Sequence, residues 1–131
     1  MARQILTHLM FEGAAEEAMN FYVSLFEDAA VTEVRRYGPG EAGQEGSVMM
    51  AYFRLRDRDF ICIDSPIEHG FTFTPAMSVF VECEDEAELE RLFAELSSGG
   101  QVMMPLDDYG FSRRYGWVCD RFKVSWQLNL Q

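Results

Sequence analysis

The chain has 131 residues, a formal net charge of −11 and a hydrophobic share of 48%. A chain of this length buries enough apolar surface to fold without disulfides or a structural metal, so we expect one domain spanning residues 1–131. The charge argues against a nucleic-acid partner, because binding to phosphates needs a basic face. The three cysteines lack paired spacing, and no apolar run is long enough to span a membrane. These features predict a soluble, cytoplasmic protein with free thiols and no membrane partner.

The first half of the chain predicts the element order β-α-β-β-β. Residues 5–12 alternate as a strand, with His8 and Met10 on the side opposite to Leu9. Residues 14–27 change to helical spacing, with acidic side chains in the first turn, where the helix dipole favours them. Further strands are predicted at 31–37, 47–55 and 60–64, the last two as a hairpin that turns at 56–59.

The second half repeats this order. It predicts a strand at 76–82, a helix at 85–97, and strands at 101–104, 116–119 and 124–130, with a long loop before the last two. A shift of about seventy residues aligns the two halves, which gives internal repeats at approximately 4–65 and 75–131. We therefore predict an α+β fold in which two βαβββ repeats form curled mixed sheets around a cavity. Such cavities are mostly apolar, with a few convergent polar groups.

Three segments resemble motifs of one known family. LMFEGAAEEAMNFY at 9–22, GGQVMMPL at 99–106 and VSWQLN at 124–129 are similar to motifs of the PhnB-like branch of the vicinal oxygen chelate superfamily. That superfamily includes glyoxalase I, bleomycin-resistance proteins and extradiol dioxygenases. The resemblance covers nearly the whole chain and implies the glyoxalase/bleomycin-resistance/dioxygenase fold, a small-molecule ligand and a homodimer. Branch members often bear a demethylubiquinone methyltransferase label, but the sequence has no glycine-rich fingerprint for a nucleotide-like cofactor.

The resemblance also implies where a metal would bind. Catalytic relatives hold a divalent metal with His and Glu from the first and last strands of each half, and these positions fall on His8, Ser78 and Gln127. The remaining position falls near Cys62 or Asp64, and the sequence does not decide between them. A catalytic ion needs about three protein ligands of the imidazole or carboxylate type, whereas serine and glutamine are weak ligands. We therefore expect a degenerate metal site, with His8 and Asp64 as the candidate ligands, and no certain cofactor.

The polar residues of the predicted cavity leave two readings open. His8 is either a ligand-contacting group or a hydrogen-bonded core histidine, and Gln127 lies on a strand face that meets either the cavity or solvent. The loop at 107–117 is long enough to act as a lid, and its arginines either grip an anionic ligand or pair with nearby aspartates. The residues predicted to contact a ligand are His8, Met10, Ser78, Phe80, Arg113, Tyr115 and Gln127.

One motif departs from the family pattern. The family turn "DPFGVSW" reads DRFKVSW here, with Arg121 in place of proline and Lys123 in place of glycine, which puts the local turn geometry in question.

Three functions follow from these observations. The first is a protein that binds a small molecule in its cavity and has lost its metal site. The second is a divalent-metal-dependent lyase, isomerase or dioxygenase that acts on a substrate with vicinal oxygens. The third is a structural or partner-binding module with a filled cavity.

Overall fold

A computed structural model describes all 131 residues, and the chain divides into two compact units, Met1–Gly70 and Phe71–Gln131. Each unit contains one helix and one four-stranded mixed sheet, which is curled but not closed. The predicted α+β fold class and the order of elements are therefore confirmed. In each sheet we call the side covered by the helix the helix face and the other side the open face.

The first unit contains β1 (Thr7–Phe11), α1 (Ala15–Ser24), β2 (Ala29–Arg36), β3 (Val48–Leu55) and β4 (Arg58–Asp64). Its sheet has the order β1-β4-β3-β2, and β1 is parallel to β4 while the other pairs are antiparallel. Alternation places every second strand residue under α1, and the buried core follows that alternation. The core of this unit includes Leu9, Phe11, Ala18, Met19, Tyr22, Ala51, Phe53, Phe60 and Cys62.

The second unit contains β5 (Ser78–Glu82), α2 (Glu86–Ser97), β6 (Gln101–Asp107), β7 (Arg114–Cys119) and β8 (Ser125–Leu130). Its sheet has the corresponding order β5-β8-β7-β6, with β5 parallel to β8. Asp85 caps α2 by accepting the backbone N–H of Glu88 at 2.8 Å, which satisfies one free donor of the first turn. The helix buries Leu89, Leu92 and Leu96. Neither helix of the protein is long and apolar enough to cross a membrane.

The loop predicted at 107–117 is shorter in the structure. Strand β6 continues through Pro105 to Asp107, and β7 begins already at Arg114, so the connection covers only residues 108–113. Proline is tolerated here because β6 is the edge strand of its sheet and Pro105 lies in a register shift, between Met104 and Asp107, where it has no paired residue in β7. Two register shifts between β6 and β7 interrupt the alternation that would have revealed the strand.

The altered turn motif keeps a defined geometry. Asp120 Oδ1 accepts the backbone N–H groups of Phe122 and Val124 at 2.8 and 3.1 Å, and its Oδ2 accepts the indole N–H of Trp126 at 2.9 Å. Lys123, which replaces the glycine of the family pattern, adopts a φ of 75°. The carboxylate of Asp120 thus holds the turn although the proline and glycine are absent.

Candidate functional site

The open face of the second unit carries a row of polar side chains. In β8 the apolar residues Trp126, Leu128 and Leu130 are buried on the helix face. Their neighbours Ser125 and Gln127 point to the open face, where alternation must place them. The strand therefore presents amide and hydroxyl groups on a surface that α2 does not cover.

These groups are joined to the neighbouring strands by hydrogen bonds. Ser78 of β5 lies opposite Ser125, and Trp117 of β7 lies opposite Gln127, so the pairing register brings all four together. The Tyr115 hydroxyl donates to Gln127 Oε1 at 2.6 Å, and Gln127 Nε2 donates to Ser78 Oγ at 3.0 Å. Ser78 Oγ lies 2.6 Å from Ser125 Oγ, which also accepts the indole N–H of Trp117 at 2.8 Å. We call Ser78, Tyr115, Trp117, Ser125 and Gln127 the hydroxyl–amide network.

A second, smaller set of bonds borders the network. Ser112 donates to Asn129 Oδ1 at 2.6 Å, and Asn129 Nδ2 donates to Glu82 Oε2 at 3.1 Å. Both side-chain groups of the buried Asn129 are therefore satisfied. Glu82 contributes a negative charge at this edge of the open face.

Aromatic rings from the short loop pack around Tyr115. The ring of Phe111 meets that of Tyr115 edge-on at 5.1 Å between centroids, and the ring of Tyr109 does so at 5.9 Å. Burial, with a smaller contribution from Tyr109, raises the pKa of Tyr115, so its hydroxyl keeps its proton at neutral pH and can donate to Gln127. Phe111 is 64% exposed and Phe80, on the same face, is 52% exposed. The network is thus bordered by exposed aromatic surface.

The seven predicted ligand residues do not all gather in one place. Ser78, Phe80, Tyr115 and Gln127 share the open face of the second unit. His8 and Met10 lie on the open face of the first unit, opposite Ile61 and Ile63 of β4, and His8 is exposed. Arg113 is exposed in the loop, whereas its neighbour Arg114 forms an ion pair with Glu90 at 2.7 Å.

The sheet register identifies which residue of the first unit is equivalent to Gln127, the position that the sequence left open between Cys62 and Asp64. Gln127 is paired with Phe80 on the open face, and the equivalent pair in the first unit is Met10 with Ile63. The equivalent of Gln127 is therefore Ile63, and neither Cys62 nor Asp64. The register places Asp64 opposite Phe11, on the helix face, so it does not lie on the same side of the sheet as His8.

The carboxylate of Asp64 accepts hydrogen bonds from backbone N–H groups. Its Oδ1 accepts the N–H groups of Gly13 and Ala15 at 2.8 and 2.9 Å, and its Oδ2 accepts that of Val48 at 3.0 Å. The carboxylate is only 4% exposed. It stabilises the start of α1, whose N-cap position, Ala14, has no side chain able to do so.

The donor set does not fit the divalent ion that the superfamily implies. The positions that correspond to its metal ligands hold His8, Ile63, Ser78 and Gln127, and only the histidine is a strong ligand. No group of three or more His, Cys, Asp or Glu side chains is arranged to hold a metal. No step of a reaction can therefore be assigned to a metal from the residues present.

The cysteines are poor nucleophiles. Burial raises the pKa of Cys62 and of Cys83 to about 12, with smaller contributions from nearby carboxylates. Cys119 is half-exposed on the open face of the second unit, and desolvation followed by Asp120 raises its pKa as well. A thiolate is the reactive form, so these shifts disfavour covalent catalysis by cysteine.

A separate hollow of about 360 Å³ lies in the first unit. Its lining includes Gln4, Leu6, Thr32, Glu33, Tyr52, Phe53, Asp59 and Phe60. None of the predicted ligand residues lines it.

The sequence interpretation missed the role of Trp117. Its indole N–H completes the network, yet it lies in a segment read as the end of a loop. The alternation of Tyr115, Trp117 and Cys119 would have placed Trp117 on the same face as Tyr115. It becomes visible once β7 is extended to Arg114.

Comparisons with known proteins agree with this fold. The chain is similar to the PhnB protein from Bacillus cereus, with 50% identity, a TM-score of 0.95, and coverage of 98% of this chain and 100% of that one. It is also similar to protein PA1353 from Pseudomonas aeruginosa, with 27% identity, a TM-score of 0.87, and coverage of 99% and 98%. The fosfomycin resistance protein FosX from Mesorhizobium loti shares the fold alone, at 12% identity, a TM-score of 0.62, and coverage of 100% and 94%. A search of curated proteins found no match.

The fold, with its paired βαβββ units, is that of the vicinal oxygen chelate superfamily, as the sequence motifs indicated. Within it, the chain belongs to the family described as 3-demethylubiquinone-9 3-methyltransferase, whose model matches residues 3–129.

Proposed function

We propose that the protein binds a small organic molecule on the open face of its second unit and does so without a metal. The observation that carries this proposal is the hydroxyl–amide network, in which four hydrogen bonds join three strands on a sheet face that the helix leaves uncovered. Exposed aromatic rings beside a few fixed polar groups are the usual composition of a ligand site.

The geometry of the network favours orientation of a ligand over catalysis. Ser78 and Ser125 have no histidine or lysine hydrogen-bonded to them that would activate a hydroxyl as a nucleophile. Gln127 is held at both ends of its amide, by Tyr115 and by Ser78, so its position is fixed before a ligand arrives. A fixed polar group of this kind lowers the entropy cost of binding.

The family description refers to methyl transfer onto a demethylated quinone. We infer from it only a small organic ligand, because the chain has no glycine-rich fingerprint for a nucleotide-like methyl donor. Binding is also the activity that needs none of the metal ligands that are missing here.

We further propose that the protein is a cytoplasmic homodimer. The edge strands β2 and β6 carry exposed apolar residues, among them Val31 and Val102, and exposed edges are commonly covered by a second chain. Light scattering on purified protein should give twice the chain mass of 15.1 kDa. A mass of 15.1 kDa would contradict the dimer and leave the binding proposal intact.

The two tryptophans provide a direct test of the ligand site. Trp117 is half-exposed in the network, whereas Trp126 is buried on the helix face against Asp120. In two-dimensional NMR of the isotopically labelled full chain, a screen of small aromatic fragments should move the indole signal of Trp117 and leave that of Trp126 in place. A Trp117→Phe variant assigns the signals. If no fragment moves the Trp117 signal, the proposed site is wrong.

A further inference from the structure

We propose that the site selects uncharged, flat molecules that bear a hydrogen-bond-accepting oxygen, such as a carbonyl. This inference rests on the proposed function and names the ligand class for the same network. It follows from the hydrogens that the network leaves unused, from the charges around it and from the rings beside it.

The network has more donor hydrogens than internal bonds. Tyr115, Ser78 and Ser125 each supply one hydroxyl hydrogen, the Trp117 indole supplies one, and the Gln127 amide supplies two. The four bonds of the network use four of these six hydrogens, which leaves two free to donate. This count is the same whichever serine donates and whichever way the amide of Gln127 is turned. Cys119 is paired with Ser125 on this face, but a thiol brings a hydrogen of its own and its sulfur is a weaker acceptor than a hydroxyl oxygen.

Unused donors decide what a ligand must offer. A donor hydrogen that loses water without gaining an acceptor is costly, whereas an oxygen with one unused lone pair is commonly tolerated. Ser125 is 1% exposed, so its hydroxyl hydrogen needs an acceptor within the protein, and Ser78 Oγ at 2.6 Å is the nearest. The free hydrogens then belong to the half-exposed Ser78 and Gln127. A single acceptor oxygen placed between them satisfies both.

The charges on the open face disfavour an anion. The network itself contains no charged group, and carboxylates lie beside it: Glu82, bonded to Asn129, and Asp107, opposite Tyr115. The loop 108–113 holds one cation, Arg113, which is exposed. A carboxylate or phosphate ligand would lose its hydration without meeting a cation in the network. An uncharged acceptor avoids this cost.

The aromatic rings beside the network indicate the shape of the ligand. Phe80 and Phe111 are more than half exposed, and Phe111 and Tyr109 stack on each other at 6.4 Å between centroids beside Tyr115. Aromatic faces of this kind pack best against another flat ring, in an offset or edge-on arrangement. The ligand class is therefore a planar body with an acceptor oxygen at one end.

Three probes of matched size separate the alternatives. Acetophenone has a ring and a carbonyl oxygen, ethylbenzene has the ring without an acceptor, and benzoate has an acceptor with a negative charge. Each is titrated into labelled full-length protein up to its solubility limit, and the movements of the Trp117 indole and Gln127 amide signals are followed. Trp126 serves as the internal reference. We expect acetophenone to bind at least about tenfold more tightly than the other two, since one well-placed hydrogen bond contributes about that factor.

Two variants test which hydrogens are responsible. Gln127→Glu removes both amide hydrogens and should weaken acetophenone about tenfold. Ser78→Ala removes one donor but also frees the Gln127 N–H that Ser78 had accepted, so it should weaken acetophenone by less. Gln131→Glu adds the same charge as Gln127→Glu at an exposed terminal position and should leave the affinity unchanged. An unshifted Trp126 signal shows that each variant is folded.

Each outcome has a distinct meaning. If ethylbenzene binds as tightly as acetophenone, or if both network variants keep the parent affinity, apolar contact alone selects the ligand. If benzoate binds more tightly than acetophenone, charge selects the ligand. Either result overturns the ligand class. If acetophenone fails to move Trp117 while other fragments move it, the class is wrong and the binding site stands. If nothing moves Trp117, the site itself is wrong.

Discussion

The carboxylate of Asp64, at the end of β4, accepts the backbone N–H of Ala15, at the start of α1, at 2.9 Å although 49 positions separate them along the chain. The same side chain accepts two further backbone N–H groups, from Gly13 and Val48. A residue that the sequence offered as a candidate metal ligand thus has a clear structural task, which is to tie the first helix to the sheet.

Replacing Asp64 by alanine should lower the free energy of unfolding by about 3 kcal/mol, because three backbone donors lose a charged acceptor in a buried place. Urea denaturation measures this loss. Asp59→Ala, on the same strand but exposed, should change the stability by less than about 0.5 kcal/mol. If both variants are as stable as the parent protein, Asp64 does not hold the helix.

Replacing Lys123 by glycine should stabilise the protein. Its φ of 75° lies in the left-handed region, which costs an ordinary residue about 1 kcal/mol and glycine almost nothing. Lys123→Gly should therefore raise the free energy of unfolding by about 0.5 kcal/mol, after the greater entropy of unfolded glycine is subtracted. Its neighbour Arg121, outside the left-handed region and with its guanidinium 4.5 Å from the centre of the Phe122 ring, provides the control. Arg121→Gly should destabilise. Loss of stability in both variants would contradict the strain at Lys123.

The sequence predicted the fold well because its local patterns agree with the tertiary structure. In β8, polar and apolar residues alternate strictly, so the sequence alone distinguishes the two faces. The first helix was equally clear from its helical spacing and from the acidic residues Glu16 and Glu17 in its first turn. The repeat of the same element order in the second half then supported the remaining strands.

The sequence could not show which residue of β4 is equivalent to Gln127, and the reason is physical. Strand β4 contains Phe60, Ile61, Cys62 and Ile63 in succession, and apolar residues on both faces hide the alternation. Only the pairing with β1 shows that Ile63 is on the open face and Asp64 on the helix face. The hydroxyl–amide network escaped prediction in the same way, because it needs the register between β7 and β8.

The buried thiols should make the protein less stable at alkaline pH. The pKa values of Cys62 and Cys83 are raised in the folded state to about 12, from an ordinary value of 9.0. Between these two values the unfolded chain loses thiol protons that the folded chain keeps, so the unfolded state is favoured as the pH rises. We expect the urea midpoint to fall from pH 9 upward.

A Cys62→Ala variant separates this effect from other alkaline titrations. It should be less stable at neutral pH because of the cavity, but its midpoint should fall less steeply with pH. Thiol titration at pH 8 should also find Cys62 and Cys83 unreactive in the native protein and reactive in urea. Rapid modification of either thiol in the native state would contradict the burial.

Arg113 was predicted to contact a ligand, and that stays a prediction. If the ligand is uncharged, Arg113→Ala should change the affinity for acetophenone by less than about twofold, because no charge pair is lost. The control is Arg114→Ala, which breaks the ion pair with Glu90 and should cost roughly 0.5 kcal/mol of stability, with the same affinity. A large loss of affinity in Arg113→Ala would assign the arginine to the site and favour an anionic ligand.

Metal retention distinguishes binding from the alternative of a metal-dependent lyase, isomerase or dioxygenase. After incubation with divalent ions and exhaustive dialysis, the protein should keep far less than one metal per chain, because His8 is the one strong ligand among the four corresponding positions. His8→Ala should not change this content, and neither should His69→Ala, whose ring instead contacts Ser65 Oγ at 2.8 Å. About one metal per chain that is lost in His8→Ala and kept in His69→Ala would overturn the metal-free proposal. It would also direct the search toward substrates with vicinal oxygens, since those chelate the ion in this superfamily.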